Sequence, residues 1–517
     1  MNLSRRTGFL PHTLVLALAV SAAACATNPV TGKKQLSFMS EDQEIRLGQE
    51  LDAEVRREMG VYEDSKLQAY VEDVGLRLAK QSQRPNLPWH FTIVDSPAIN
   101  AFALPGGYIY LTRGIMPFLD NEAQLAGVLG HEIGHVTARH AAQQYTRASA
   151  TSIGVLIGSI FVPGVAPFGD LAQAGLGVAF MKFSRGDELQ ADALGAEYAA
   201  AGGWDPAQVP AFLTTLSRVD ELSDHSGTPN WLATHPQPED RVAKVGTTVQ
   251  KVRADGNPGT LERDPYLERI NGMVFGDNPE EGIVRGHQFI HPTLRFAIDF
   301  PEGWDITNGE EEVIAQEPGN KVFVVLRSVR EPSATTLEQV AQKHMSGAGY
   351  KATEGVLTTV GGLDAFIGTY QGNARGIGKV MARGAHISTP PASLRTSRRV
   401  PAGTGAPGST LSPRSTTYFI AGIAPTETFP AQLEAFNATI RSFRELSPNE
   451  ADDVEPNRVV LYKVREGDTW QSIAQREGKG VVKASTLAIM NDHTVDDQPK
   501  AGERLKIVVA VARAEMP

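Results

Sequence analysis

The sequence predicts a multidomain protein: a mainly α-helical domain with a small sheet, then an α+β domain, then a small β-α-α-β module. Three observations carry that prediction. The chain has 517 residues, and single hydrophobic cores stop growing near about 250–300 residues. Apolar residues recur at helical spacing through Ile45, Leu47 and Leu51, whereas Phe296, Ile298 and Phe300 alternate as in a half-buried strand. A stretch rich in Gly, Pro and acidic residues near 256–285 and an acidic one near 446–458 interrupt the chain. The expected organisation is a leader over 1–24, a first domain over 25–255, a connector over 256–285, an α+β domain over 286–445, a linker over 446–458 and a terminal module over 459–510.

Apolar residues at 41% and charged residues at 21% place the chain among ordinary globular proteins. A net charge of −10 without a dense Lys/Arg stripe excludes nucleic acid as a partner. The leader has a positive start at Arg5 and Arg6, the short apolar run Thr13-Leu-Val-Leu-Ala-Leu-Ala-Val20, and small residues up to Ala24. The one cysteine, Cys25, follows directly. A plain buried thiol is one reading; the segment also resembles a bacterial lipoprotein signal, which implies cleavage before Cys25 and acylation of its sulfur. More than one buried acyl chain would then hold the protein to a membrane. Ala26, rather than an acid, follows the cysteine, which for such signals favours the outer membrane and a site on the periplasmic side of the envelope. Acylating Cys25 leaves no cysteine for a disulfide.

Ser40 to about Gln83 reads as helical, with Ser40 as N-cap before a run of acids. Phe91–Val94 and Tyr108–Leu111 read as strands, the second introduced by Pro105-Gly-Gly107. Asn121 to about Tyr145 reads as a helix, and Asp187–Ala201 as another that stops at Gly202-Gly203. Residues 148–169 carry no charge but are broken by Pro163, Gly164, Pro167 and Gly169. They read as a buried or substrate-facing helical hairpin, with partial membrane contact as the rival. In the second domain, Val322–Leu326 and Tyr418–Ile420 read as strands, and Phe429, Leu433, Phe436, Ile440 and Phe443 mark a closing helix. The Ser/Pro/Arg/Gly-rich stretch 388–416 reads as a mobile loop.

The chemistry concentrates in His131-Glu-Ile-Gly-His135. Two histidines four apart project from one helix face and converge on one ion at about 2.0–2.1 Å. Leu125, Val128, Leu129, Ile133 and Val136 form the apolar stripe of that helix, and Glu132 falls within it. A buried carboxylate without a partner costs several kcal/mol, so Glu132 needs a neighbouring metal and its water. Gly127, Gly130 and Gly134 permit close packing. A zinc hydrolase needs a third protein ligand and an open position. Asp187, Glu188, Asp192 and Glu197 are the downstream acids; spacing does not choose among them, although Glu188 and Asp192 share a face.

Leu129-Gly-His-Glu-Ile-Gly-His-Val-Thr-Ala-Arg-His140 resembles the zinc helix of the BepA-like metallopeptidases, relatives of the HtpX and Ste-twenty-four proteases. Asn100-Ala-Phe-Ala-Leu-Pro-Gly-Gly-Tyr-Ile-Tyr-Leu-Thr-Arg113, Ser184-Arg-Gly-Asp-Glu-Leu-Gln-Ala-Asp192 and Thr234-His-Pro-Gln-Pro-Glu-Asp-Arg241 resemble that family's edge-strand, third-ligand and late His-Pro segments, in the same order. The resemblance covers roughly residues 28–241. It implies a zincin-type protease fold, Zn2+ held by His131, His135 and Glu188, and Asp192 supporting a ligating histidine. Gln190 stands where the family more often has glutamate. His235 has two readings: packing or capping near Pro236, or reaching the metal as oxyanion stabiliser or latch. Arg241 is either a partner of a site acid or a surface charge.

Peptide hydrolysis follows from these assignments. Glu132 acts as general base and then acid, and His235 assists catalysis. Tyr108, Ile109, Tyr110 and Leu111 are expected to pair with substrate as an added strand, which favours unfolded or misassembled envelope proteins. Tyr462-Lys-Val-Arg-Glu-Gly-Asp-Thr-Trp470 with Gly502-Glu-Arg-Leu-Lys-Ile507 resembles a LysM module. That resemblance implies two helices on a two-stranded sheet and peptidoglycan as a further partner, or else a module used only for packing. Phe296 to Trp304 resembles small α/β sandwich domains of the PsbP or Mog-one kind, an analogy of fold alone. Rival functions are a peptidoglycan-associated hydrolase and a latched, non-proteolytic chaperone or scaffold.

Overall fold

The structure is a computed structural model that describes residues 25–36, 39–144, 183–222, 231, 235, 238–253, 258–309, 312–330, 336–374, 376–389 and 415–510. The leader, the hairpin expected at 148–169 and most of the loop expected at 388–416 lie outside the described residues. Among the described residues, no helix is long and apolar enough to cross a membrane.

A short ribbon, β1 (Cys25–Thr27) with β2 (Lys34–Leu36), opens the described chain. Ser40 caps α1 (Glu41–Met59) in a reciprocal box with Gln43. Gly60, at φ 62°, ends that helix, and α2 (Ser65–Ala79) restarts under an Asp64 cap. The single helical stretch expected over 40–83 is therefore two helices. Next come β3 (His90–Val94), β4 (Ala101–Leu104) and β5 (Tyr108–Thr112), in the order β3-β5-β4 with β3 and β5 parallel. A 3-10 turn, Arg113–Phe118, leads to α3 (Glu122–Thr137), whose N-cap Asn121 accepts from the Gln124 amide.

Every residue of α3 is buried, so it is the central helix of the domain. Against it pack α4 (Arg185–Ala201) and α5 (Gln208–Leu222), and α6 (Pro238–Arg253) packs on those two. Glycine sets the spacing of α3 and α4. A Cβ on Gly130 would lie 3.0 Å from the Gly195 Cα, and one on Gly195 would lie 2.9 Å from the His131 nitrogen. The two backbones meet where neither has a side chain.

The expected connector at 256–285 is not a free linker. Its α7 (Arg263–Ile270) buries Tyr266, Leu267 and Ile270 in the core of the first domain, and the Tyr266 hydroxyl donates to the Met116 carbonyl at 2.7 Å. β6 (Val274–Phe275) follows. The surrounding Gly, Pro and acids hide the few apolar residues that stand at helical spacing.

The second domain comprises β7 (Ile283–Arg285), β8 (Gln288–His291), β9 (Phe296–Asp299), β10 (Asp305–Asn308), β11 (Glu312–Gln316) and β12 (Phe323–Val329). It continues through α8 (Leu337–Gly347), β13 (Lys351–Val360), β14 (Leu363–Ala374), β15 (Gly378–Thr389), β16 (Thr416–Pro425), α9 (Phe429–Ser442) and β17 (Arg444–Glu445). A seven-stranded antiparallel sheet, β10-β11-β12-β16-β15-β14-β13, stands beside a four-stranded one, β17-β9-β8-β7. The expected linker at 446–458 also has structure: α10 (Pro448–Asp452) and Leu446 bury Ala451 against Ile283 and Ile290.

The terminal module runs β18 (Asn457–Lys463), α11 (Trp470–Arg476), α12 (Ala484–Met490) and β19 (Arg504–Ala510). β6 adds a third strand, in the order β19-β18-β6. Lys506 is fully buried and donates to the Leu119 carbonyl at 2.5 Å, fastening the module just ahead of α3.

The second domain carries an acid-sensitive element. His386 is fully buried, lies with its ring tilted against Phe419, and shares a 2.9 Å contact with His344. Burial, then the neighbouring His344 and Arg327, hold His386 well below the ordinary histidine value. Burial and Arg327 bring His344 to about 4, and burial brings His291 to about 4. These rings are neutral in the fold and protonate more readily once unfolded. Their stability contribution is complete above about pH 6.5 and is lost as pH falls towards 4, on the order of 1 kcal/mol per pH unit for His386. Thermal unfolding followed by circular dichroism should show the midpoint falling from pH 6.5 to 5; a flat midpoint over that interval is the contrary result.

Candidate metal centre

The central helix presents His131 and His135 one turn apart, and close packing of α3 on α4 brings Glu188 to them. One ligand atom each from His131, His135, Glu188 and His235 all lie within 4.8 Å of one another, and all four residues are buried. The His131 and His135 Nε2 atoms are 3.0 Å apart. The His235 Nδ1 atom lies 3.3 Å from His131 Nε2 and 3.0 Å from a Glu188 oxygen. Glu188 oxygens lie 3.5 Å from His135 Nε2 and 3.7 Å from His131 Nε2. A tetrahedral ion with bonds of about 2.0–2.1 Å holds its ligand atoms about 3.3 Å apart, so the donor set fits a metal.

The supporting groups fix the direction of these donors. Asp192 accepts from His131 Nδ1 at 2.9 Å, which leaves the His131 Nε2 lone pair facing the cluster. Arg241 is fully buried and grips Asp192 with two bonds of 2.7 Å. It also reaches a Glu188 oxygen at 2.8 Å and donates to the His235 carbonyl at 3.2 Å. It is an interior ion-pair partner, so the surface-charge reading of Arg241 is set aside.

Electrostatics separate the groups by role. Burial, with the surrounding histidines and Arg241, drives His135 well below its ordinary value, and burial also lowers His131. Both rings are therefore neutral and able to ligate. Burial pushes Glu188 and Asp192 up, but His235 and His131 for Glu188, and Arg241 and His131 for Asp192, outweigh it and hold both carboxyls low. Burial lowers His235, yet Glu188 and Glu132 prevail and raise it.

Glu132 is the exception. It is fully buried, neither carboxylate oxygen has a hydrogen-bond partner, and its nearest ionic neighbour is His235 Nε2 at 3.6 Å. Burial lifts its carboxyl to about 7. Such an orphaned acid beside a ring of metal donors is the arrangement a general base for a metal-activated water requires.

One expected feature is corrected. Tyr108, Ile109, Tyr110 and Leu111 belong to β5, which is hydrogen-bonded to β3 on one side and β4 on the other. With both edges occupied, β5 has none left for an incoming strand. Of the two outer strands, β3 and β4, it is β4 whose Ala103 and Leu104 line a cleft with His135, Val136 and Phe183. Alternation shows that a segment is a strand but does not show its place in the sheet.

Three further site residues lie beyond the reach of sequence reasoning. Phe183 stacks on His135 with ring centroids 4.0 Å apart. Trp231 stacks on His235 at 4.2 Å, and its backbone amide donates to the Ile99 carbonyl at 2.9 Å, just before β4. His140 meets His135, Nδ1 to Nδ1, at 3.0 Å. His140 belongs to the zinc-helix motif, but five residues after His135 it faces elsewhere on a straight helix, so spacing offers no signal.

A central helix bearing two histidines and an orphaned glutamate, closed by a glutamate from α4, defines a metallopeptidase domain. Residues 65–249 match Peptidase family M48. The chain is 32% identical over 259 residues to the Beta-barrel assembly-enhancing protease of Escherichia coli strain K12, covering 47% of this chain and 53% of that one. It is 34% identical over 321 residues to the protein of that name from Yersinia pestis, covering 58% and 65%. It is 31% identical over 226 residues to the Mitochondrial metalloendopeptidase OMA1 of Schizosaccharomyces pombe, covering 42% and 64%. The chain thus spans about half the length of the Escherichia coli relative. Among solved structures, the Ran-binding protein Mog1p of Saccharomyces cerevisiae covers 32% of this chain at 9% identity, with a TM-score of 0.21. That likeness is too low to carry an inference.

Proposed function

We propose that the protein is a zinc-dependent endopeptidase that hydrolyses peptide bonds of unfolded or misassembled cell-envelope proteins. The observation that carries this reading is the buried, unpartnered Glu132 beside the His131, His135 and Glu188 donors. The M48 match and the name of the bacterial relatives, which links them to β-barrel assembly, support the substrate class.

Zinc, when bound, lowers the pKa of its water towards about 7 and polarises the scissile carbonyl. Glu132 accepts the proton of the attacking water and later passes it to the leaving amine. Asp192 and Arg241 hold His131 in its ligating tautomer. The β4 edge aligns an extended peptide through backbone hydrogen bonds, which favours unfolded substrate over a folded surface.

His235 is the latch of this site. A catalytic zinc keeps one position open, whereas here four protein donors converge. Trp231 stacks on His235 and ties the same segment to Ile99 at the start of β4. Withdrawal of His235 opens the fourth position. Acylation of Cys25 would anchor the protein on the periplasmic side of the outer membrane, and the terminal module would keep it near peptidoglycan.

The test uses the purified full chain with unfolded casein and with sacculi, each with and without chelator. Expected are about one zinc per chain by elemental analysis, chelator-sensitive cleavage of casein, and intact sacculi. His235→Ala should cleave casein roughly tenfold faster, since a latch stabilised by about 1.4 kcal/mol suppresses the open form that much. Absence of stoichiometric transition metal, or cleavage of sacculi alone, would overturn the endopeptidase reading; a slower His235→Ala would overturn the latch.

A further inference from the structure

We propose that His140 is a positioning residue of the metal centre, holding His135 in the Nδ1–H tautomer so that its Nε2 lone pair faces the ion. This rests on the metal reading above and adds a residue to it. Nothing in the HExxH spacing requires a histidine at position 140.

The backbone places it there. Helix α3 ends at Thr137, and Arg139 takes φ 61°, a left-handed conformation rare for a residue with a side chain. Helical residues resume at His140. On an uninterrupted helix, a residue five positions on lies about 140° around the axis and would point away from His135. The turn at Arg139 folds it back. Interior contacts hold that turn: the Arg139 guanidinium donates to the Met39 carbonyl at 2.6 Å and pairs with Glu44, which Arg84 also engages at 3.0 Å.

The contacts of His140 order the protons of both rings. His140 is 1% exposed. Its Nε2 lies 3.2 Å from the Gln190 Oε1 and 3.6 Å from an Asp187 oxygen. Both are acceptors, so Nε2 carries the hydrogen. A neutral ring then leaves Nδ1 as an acceptor, and His135 Nδ1, 3.0 Å away, is placed to donate to it. His135 Nε2 is left with a lone pair directed at His131 Nε2, 3.0 Å away, and at Glu188, 3.5 Å away. Gln190, His140 and His135 thus form a chain that mirrors Arg241, Asp192 and His131 on the other side. Each ligating ring has its own acceptor, one a carboxylate and the other an imidazole. Phe183 stacks on His135 and restricts its rotation.

The experiment measures zinc affinity of the full-length apo protein by competition with a fluorescent chelator, with circular dichroism as the check on folding. His140→Leu removes the acceptor and should weaken zinc binding about 10–100-fold, the usual effect of losing a ligand's outer partner. In His140→Asn, Oδ1 stands near the position of Nδ1, and affinity should stay within about fivefold of the parent. Gln190→Leu leaves α3 untouched and should weaken binding by several fold. Gln190→Glu supplies a charged acceptor and should tighten it. A merely structural role predicts neither the Asn rescue nor the gain with Glu. The proposal is overturned if His140→Leu binds zinc within twofold of the parent, or if His140→Asn is as weak as His140→Leu. Should His140→Leu fail to fold, parent-like affinity of Gln190→Leu overturns it instead. A parent that binds no zinc sinks the metal reading itself, a distinct result.

Discussion

Glu132→Gln is expected to lower the rate of casein cleavage by about 10²–10⁴-fold, the contribution of a positioned general base, while zinc remains bound. The two parts of that expectation separate because Glu132 is not among the four converging donors. Its carboxylate oxygens are fully buried without hydrogen-bond partners, so an amide of the same shape removes a desolvated charge and leaves packing intact. The unfolding midpoint of the variant should accordingly equal or exceed that of the parent. Single-turnover cleavage of labelled casein, elemental analysis and thermal unfolding on one preparation measure all three quantities. Full retained activity would remove Glu132 from the mechanism. Loss of zinc together with activity would instead make it a ligand.

Arg241→Leu is expected to destabilise the folded protein by about 3–5 kcal/mol, the cost of breaking a buried ion pair from one side. Arg241 is fully buried and serves Asp192, Glu188 and the His235 carbonyl together. Without it, two carboxylates in the interior lose their cation, and Asp192 loses the groups that aim it at His131. Arg241→Lys keeps the charge but cannot reproduce the two-bond grip on Asp192, so it should fall between parent and Leu. Urea unfolding of the three proteins is the measurement. A loss under about 1 kcal/mol for Arg241→Leu, the range of exposed pairs, would contradict the interior pairing.

Part of the site is legible in the amino-acid sequence because its signal is local. His131 and His135 declare themselves by spacing on one helix, and Glu132 by an acid in an apolar stripe. Gly130 and Gly134 announce a close neighbour, which is the α4 backbone at Gly195 and Ala191. Glu188 and Asp192 share a face, but spacing does not tell ligand from support. The family resemblance assigns them, and the fold puts Glu188 among the donors and Asp192 on His131 Nδ1.

Where fold and sequence reading part, the cause is a partner distant in sequence. Tyr108–Leu111 has the alternation of a strand whether it lies at an edge or at the centre, and only pairing with both β3 and β4 assigns it to the centre. The stretches 256–285 and 446–458 have linker composition, yet Tyr266, Leu267 and Leu446 are buried by surfaces that other segments bring to them.

What the amino-acid order determined by itself was the chemistry available: which donors lie on one helix face, and which acid sits among apolar neighbours. Tertiary structure alone decided which of those groups meet. A left-handed residue at Arg139 turns His140 back onto His135, and Arg241, 49 positions beyond Asp192, closes the ion pair in the interior. Helical spacing reports neighbours within a turn or two, whereas a metal centre is completed by contacts across the whole fold, where only packing sets the distance.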